Sequence, residues 1–468
     1  MTTTDPGTSS RRAGLLALLA AVWVVWHGLL LLLAHESQRW VTGDVGYFRQ
    51  SIELLGSSGV GRTLTEYPVP AVGVLWVPSR LAHLGGSYTF WFFALVLVTD
   101  LAFAVLLWWE TRGRSLLPLV VWVVGIPLLG TTALARFDLL PGVLVGATVL
   151  MLARRPAVAG VLAALATGVK LWPALFIPAL LGVRRTRGRI LAGVAVTGVV
   201  LLGVSLVLGG WGRLFSPLTY QFHRGLQVES VPATPAMLGR ALSPERWQVT
   251  YAASRSYEVT GPGVHLLLAL STVAALVYVA LVVAAWARVA MLARAGRDVG
   301  LCTTVWVVLA TVSGFIVVGK VFSPQYLLWL LPAVAAALVV VDHTALRVWA
   351  AALLGAELLT NLVFPLNYLP IVQSTAPHLH SVTLLLAARN LLVAAMFVVA
   401  VVRAWRGLSA VGRSPANRPA RSAGESASSV VGAPTPSAGA AARPARRRPP
   451  GPAGPRSARR PPRGSRRP

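Results

Sequence analysis

Cysteine is nearly absent: the chain has one in 468 residues, Cys302. A disulfide within the chain is therefore excluded, and a lone thiol in an apolar run says nothing about redox compartment. Charge is scarce as well. Asp, Glu, Lys and Arg supply 12% of residues, against about 25% in a soluble domain. Lysine is the scarcest cation, with two, Lys170 and Lys320, against 40 arginines. There is no nucleotide-binding glycine loop, no Cys/His metal spacing and no nucleophile elbow. The two halves show no internal repeat of the kind many transporters carry. The short alternating segments of a transmembrane barrel are missing too.

What the chain does have is apolar length. Hydrophobic residues make up 55% and mean hydropathy is +0.68. Runs of membrane-spanning length recur from Leu15 to Val402. In lipid each run must satisfy its own backbone hydrogen bonds, so the expectation is an all-α polytopic membrane protein.

The net charge of +27 suggests nucleic acid until its distribution is read. The segment from Arg406 to Pro468 holds 14 arginines against one acid, Glu425, in a background of Pro, Ala, Ser and Gly. Such a composition cannot bury a core, so a disordered cytoplasmic tail is expected at 406–468. Its arginine runs fit anionic lipid headgroups, and no specific nucleic-acid partner is expected. The remaining arginines lie mostly in short loops, which fixes orientation by the positive-inside rule.

Parity then orders the spans. Residues 1–12 form a cytoplasmic N-terminus, and Arg11-Arg12 before an apolar run reads as an uncleaved signal anchor. A membrane module covers 13–209, including a polar outer loop at 35–87. Within that loop 68–84 is apolar, short and broken by Pro70, Pro78 and Arg80. Only one crossing fits between an outer Tyr67 and an inner Arg112, and 88–110 is the better one, so 68–84 is a re-entrant or surface helix. The stretch 157–181 lies between two basic loops and must go out and return, with Lys170 at the outer turn. A second outer loop spans 210–262, and C-terminal transmembrane helices span 263–405. The sum is about 12 crossings with both termini cytoplasmic.

Several polar residues stand out against this background. Asp44 and Tyr47 lie one helical turn apart and open a segment ending at Glu66-Tyr67-Pro68. A carboxylate shielded from bulk water can serve as a general base, although an isolated loop acid is more often a cap. Each lysine precedes an aromatic and a proline near an outer helix end. Alone, either could snorkel to headgroups; together they suggest a bound anion, and phosphate fits. Arg136 and Asp138 read as an ion pair at a helix start, or as a phosphate ligand and the acid that holds it. Asp100 and Glu357 fall within spans and are expected to be structural; in a rival reading they mark a transporter or flippase path. Residues 220–230 offer His223, Arg224, Gln227, Glu229 and Ser230 between aromatics, a mixture suited to sugar hydroxyls and ring faces.

Taken in order, Asp44-Val-Gly-Tyr47, Glu66-Tyr67-Pro68, Arg136-Phe-Asp138, Lys170-Leu-Trp-Pro173, Arg224-Gly-Leu-Gln227-Val-Glu229-Ser230 and Lys320-Val-Phe-Ser-Pro-Gln325-Tyr326 form a recognisable series. The set resembles the integral-membrane GT-C glycosyltransferases, most closely family 87, the bacterial polyprenol-phosphate-mannose-dependent mannosyltransferases. The resemblance implies a GT-C-type bundle and inverting transfer of a sugar from a polyprenyl-phosphate donor to a glycolipid or glycan acceptor at the outer face of the cell membrane. It implies Asp44 as general base. Lys170, Arg136, Lys320 and Arg224 would face the donor phosphate. Tyr47, Glu66, Tyr67, Asp138, Gln227, Glu229, Ser230 and Gln325 would contact substrate. Many GT-C enzymes carry two adjacent acids in the first outer loop; here Val45 follows Asp44, so neither a metal nor another cofactor is expected.

Overall fold

The structure, a computed structural model, describes residues 6–413 apart from Gly113, His223 and 374–376. The chain is an all-α polytopic membrane protein with one small hairpin. Seven helices are long and apolar enough to cross a membrane. They are α1 (Pro6–His35), α5 (Tyr88–Glu110), α9 (Arg184–Phe222), α11 (Val264–Arg294), α12 (Leu301–Val318), α14 (Thr344–Val363) and α16 (Leu379–Arg413). Between them lie α2 (Gly43–Glu53), α3 (Leu55–Ser58), α4 (Val69–Ala82), α6 (Leu117–Leu128), α7 (Leu139–Met151), α8 (Pro156–Val169), α10 (Thr234–Leu242), α13 (Leu331–Val340) and α15 (Leu369–Val372).

The expected crossings each find a helix, but five of them are shorter apolar segments of 10–17 residues: α6, α7, α8, a 3-10 run Trp172–Gly182, and Pro324–Val340. The 3-10 geometry has a local cause. Pro173 and Pro178 each lack the N–H that an α-helix would bond there. α4 forms as a 14-residue helix between Pro68 and His83, shorter than a bilayer needs. α16 continues to Arg413, seven residues past the expected start of the tail at Arg406, so 406–413 is helical; the rest of the expected tail, 414–468, lies outside the described residues.

Burial separates two kinds of helix. α13 is covered on all sides, with Val334, Ala335 and Ala336 fully buried. α1, α9 and α11 expose large apolar side chains, Val207 at 86% among them, as a lipid-facing surface requires. Within the apolar interior, Asp100 accepts from Trp23 Nε1 at 3.0 Å and Trp122 Nε1 at 2.7 Å, and His27 Nε2 lies 2.6 Å from it. These contacts tie α1, α5 and α6 together, which fits the structural reading of Asp100.

Alternate loops meet at one end of the bundle. Arg12 donates to the carbonyls of Thr111 (2.7 Å) and Arg114 (2.6 Å), Arg154 pairs with Glu110, and the Arg184 amide donates to Asp298. The other set of loops builds the candidate site. There α9 breaks at Gly210, whose φ of 72° is open to glycine but strained for other residues. The chain then runs through α10 to an antiparallel hairpin of β1 (Gln248–Tyr251) and β2 (Tyr257–Thr260).

Candidate active site

A cavity of about 940 Å³ opens among these loops. α2 supplies Asp44 and Tyr47; the chain before α4 supplies Glu66 and Tyr67; the stretch before α7 supplies Arg136, and the residue capping the end of α8 is Lys170. The opposite wall comes from Arg224, Gln227, Glu229 and the hairpin, with Ser323, Gln325 and Tyr326 from the segment after α12. Asp44, Lys170 and Arg224 thus converge on one space. Asp100 and Glu357, both fully buried, take no part in it.

Asp44 sits in the first turn of α2 with 43% of its side chain exposed to the cavity mouth. Arg136 Nε lies 3.0 Å from its Oδ2. The arginine is itself held, Nη1 donating to Val41 O at 2.7 Å and Ala135 O at 3.1 Å. The expected Arg136–Asp138 pair does not form. Residues two apart in a non-helical stretch point different ways, and each finds another partner. Asp138 is almost fully buried behind the cavity wall, bonded to Lys170 Nζ and accepting from Trp329 Nε1 at 2.7 Å. Lys170 also lies over the rings of Tyr67, Tyr326 and Trp329, at 5.6, 5.7 and 4.9 Å. Its charge is therefore shared between one carboxylate and three aromatic faces.

The tyrosines are donors. The Tyr47 hydroxyl donates a hydrogen bond to Glu66 Oε1 at 2.7 Å. Burial, then the Glu66 charge and hydrogen bond, raise its hydroxyl well above the usual range, against the opposing pull of Arg255. Burial raises Tyr67 in the same direction, with Asp138, Asp44 and Glu66 adding to it. Both stay phenols at any physiological pH and can donate to substrate oxygens.

Glu229 has no exposed surface to speak of, yet it borders the cavity. Burial pushes its carboxyl up to about 7, while Arg389, a hydrogen bond from Tyr368 and Arg136 hold it down. Arg389, wholly buried in α16, donates to the Glu229 carbonyl at 2.8 Å and approaches its Oε2 at 3.7 Å. Gln227 is structural as well as lining: its amide donates to Lys320 O at 3.0 Å, and its Oε1 accepts from Phe322 N at 2.7 Å. Ser230 is fully buried away from the cavity, its Oγ accepting from Ala233 N at 3.3 Å. Lys320 is half-buried and does not line the cavity. Burial lowers its ammonium, Glu258 opposes that shift, and Arg224 adds to it.

Sequence reasoning brought Asp44, Tyr47, Glu66, Tyr67, Arg136, Lys170, Arg224, Gln227, Glu229 and Gln325 to one cavity. It placed Asp138, Ser230 and Lys320 in contact with substrate, whereas they stand behind the lining. It missed Arg255, Ser254, Tyr257 and Tyr368, which line the same space. The alternating Gln-Val-Thr-Tyr and Tyr-Glu-Val-Thr around a small polar turn was the signal for the hairpin. Arg389-Asn390 within an apolar run was the signal for a buried polar anchor.

Fold and cavity together define a polytopic membrane protein with a polar, substrate-sized site built by interhelical loops. The family model described as Glycosyltransferase family 87 matches residues 65–324, more than half of the chain, and the chain belongs to that family. It is a membrane glycosyltransferase. Asp44 and Tyr47 precede the matched range and Gln325 follows it. No curated protein and no solved structure matches the chain.

Proposed function

We propose that this enzyme transfers a hexose, with mannose the first to test, from a polyprenyl-phosphate donor to a glycolipid or glycan acceptor at the outer face of the cell membrane. The observation that carries the proposal is the cavity: the Asp44 carboxylate, 43% exposed, shares a space of about 940 Å³ with several cations, aromatic rings and the tyrosine-bonded Glu66. That volume is at the upper end for small-molecule sites and suits a donor sugar and an acceptor sugar together.

Asp44 takes the proton from an acceptor hydroxyl as its oxygen attacks C1 of the donor sugar. A C–O bond forms at C1 while the C1–O bond to phosphate breaks on the opposite face. The electron pair leaves on the phosphate oxygen, and the anomeric configuration inverts. Arg136 keeps the Asp44 carboxylate aimed at the cavity. Fixed cations offset the charge that develops on the leaving phosphate without reorganising. Tyr67 and Gln325 border the space where sugar hydroxyls would lie.

The test is an assay of membranes with labelled polyprenyl-phosphate mannose. Wild-type membranes should label a lipid or glycan product. Asp44→Asn should insert normally and lose about 10²- to 10⁴-fold in rate, the usual contribution of a positioned base. A variant with undiminished activity would remove Asp44 from the chemistry.

A further inference from the structure

The cations around the cavity are of two kinds. Arg136 and Lys170 are committed: one to Asp44 and two carbonyls, the other to Asp138. For either to turn to a ligand, a carboxylate would lose its partner, and Asp138 is buried. Arg224 and Arg255 also line the cavity, and among the described residues neither makes an ion pair. Arg224 Nε is buried without a hydrogen-bond partner, and its Nη2 reaches only Ser254 O, at 3.4 Å. Arg255 follows Ser254 in the turn that joins β1 to β2. Its guanidinium lies over the Tyr47 ring at 3.8 Å. Stacking uses the face of the guanidinium and leaves its N–H edge for oxygen acceptors.

The hairpin turn is built to present that edge. Ala252 N donates to Ser256 O and Arg255 N to Ala252 O, each at 2.9 Å. Arg255 adopts φ 57°, a left-handed conformation uncommon for a residue with a side chain. Such strain persists where the surroundings impose it, and functional sites are enriched in it. The turn is docked across the cavity: Tyr220 donates its hydroxyl to Ser254 O at 3.1 Å. Ser254 Oγ in turn donates to Glu258 Oε1 at 2.6 Å. Two arginines are thus fastened to one short turn from different elements. Both cations act on the Tyr220 hydroxyl and line one cavity, and an anion bound between two like charges offsets their repulsion.

We propose that Arg224 and the hairpin-tip Arg255 together bind the phosphate of the donor, with the Ser254 turn as their common support. Arg136 and Lys170 instead position the two carboxylates. This rests on the polyprenyl-phosphate reading above and assigns the donor's charged group to the hairpin side of the cavity that Asp44 also lines. The hairpin then acts as part of the donor site.

The experiment compares a polyprenyl monophosphate with the polyprenol of the same length, which has no phosphate. Binding of each is measured on the full chain in lipid nanodiscs. Wild type should prefer the monophosphate. Arg224→Ala and Arg255→Ala should each lower monophosphate affinity about ten- to hundredfold, the scale of hydrogen bonds to a charged group. Polyprenol affinity should stay unchanged, which also reports an intact fold. Arg255→Lys should recover part of the loss, because charge is kept while the bidentate edge is gone. With sugar-loaded donor, the same variants should raise donor KM and leave acceptor KM alone. Variants that keep the wild-type preference for the monophosphate would overturn the assignment while leaving the donor reading intact. A wild type that does not distinguish monophosphate from polyprenol would overturn both.

Discussion

At the scale of single residues the site is a set of exchanged partners. Arg136 serves Asp44, and Asp138 serves Lys170. Lys170→Ala would leave Asp138 buried with only Trp329 Nε1 on it. Stability should fall by about 3–5 kcal/mol, the usual result of removing one member of a buried pair. Adding Asp138→Asn should recover most of that loss, and thermal unfolding in detergent reads both. Glu229 gives a second test. Its carboxyl ordinarily titrates at 4.5 but is raised to about 7 in the fold. Between those values the folded protein holds a proton that the unfolded chain releases. Stability therefore falls as pH rises through that window, by at most about 3 kcal/mol. Arg389, Tyr368 and Arg136 face the group throughout. In Glu229→Gln this part of the slope should vanish; an unchanged difference between pH 4.5 and 7 would refute the shift. The chemistry-bearing residue types were legible in the sequence because charge is so rare there. Their pairings were not. Arg136-Phe-Asp138 looked like a local pair, yet residues two apart do not face one another. Asp138's partners come from α8 and the segment before α13, at 32 and 191 residues' separation.

At the scale of elements, apolar run length and arginine-rich loops located nearly every helix, since lipid leaves the backbone few alternatives. They could not tell an α-helix from the 3-10 run Trp172–Gly182, where prolines decide. Nor did they find the hairpin, whose strands are four residues each inside a polar loop. Helix pairing was equally hidden, although its determinants are small residues. A Cβ on Gly160 of α8 would lie 2.1 Å from Ile190 O, and one on Gly193 of α9 would lie 2.2 Å from Ala157 O. The two backbones approach through reciprocal glycines, as close helix pairs in membranes do. Gly160→Ala and Gly193→Ala should each destabilise by about 1–3 kcal/mol, since backbone rather than a flexible side chain must move. Gly198→Ala, where nothing lies within 4 Å, should be near neutral or slightly stabilising. Equal melting temperatures for all three would contradict the close approach. α8 carries Lys170 at its C-terminal end, so the packing variants should also weaken sugar transfer.

At the scale of the molecule, the proposed orientation rests on where the loops gather. One set, with the helix ends beside it, carries Arg112, Arg154, Arg184, Arg185 and Arg294; the other builds the cavity. The two sets are separated by the long apolar helices, and contacts such as Arg12 with Thr111 and Arg184 with Asp298 join members of the first set only. Positive loops are retained in the cytoplasm, which supports the proposal that the cavity faces outside. In the proposed reading, a polyprenyl-phosphate donor in the outer leaflet reaches Arg224 and Arg255 through this cavity. The chain's single cysteine makes this directly testable. Cys302 lies half-buried in α12 and can be replaced by alanine. Into that background, Ala253→Cys puts a thiol on the exposed hairpin turn and Arg185→Cys puts one at the exposed start of α9. In intact cells a membrane-impermeant maleimide should label position 253 and spare position 185, which should react only after permeabilisation. The reverse pattern would put the cavity in the cytoplasm, where the positive-inside rule fails and a nucleotide-sugar donor would become the reading to test.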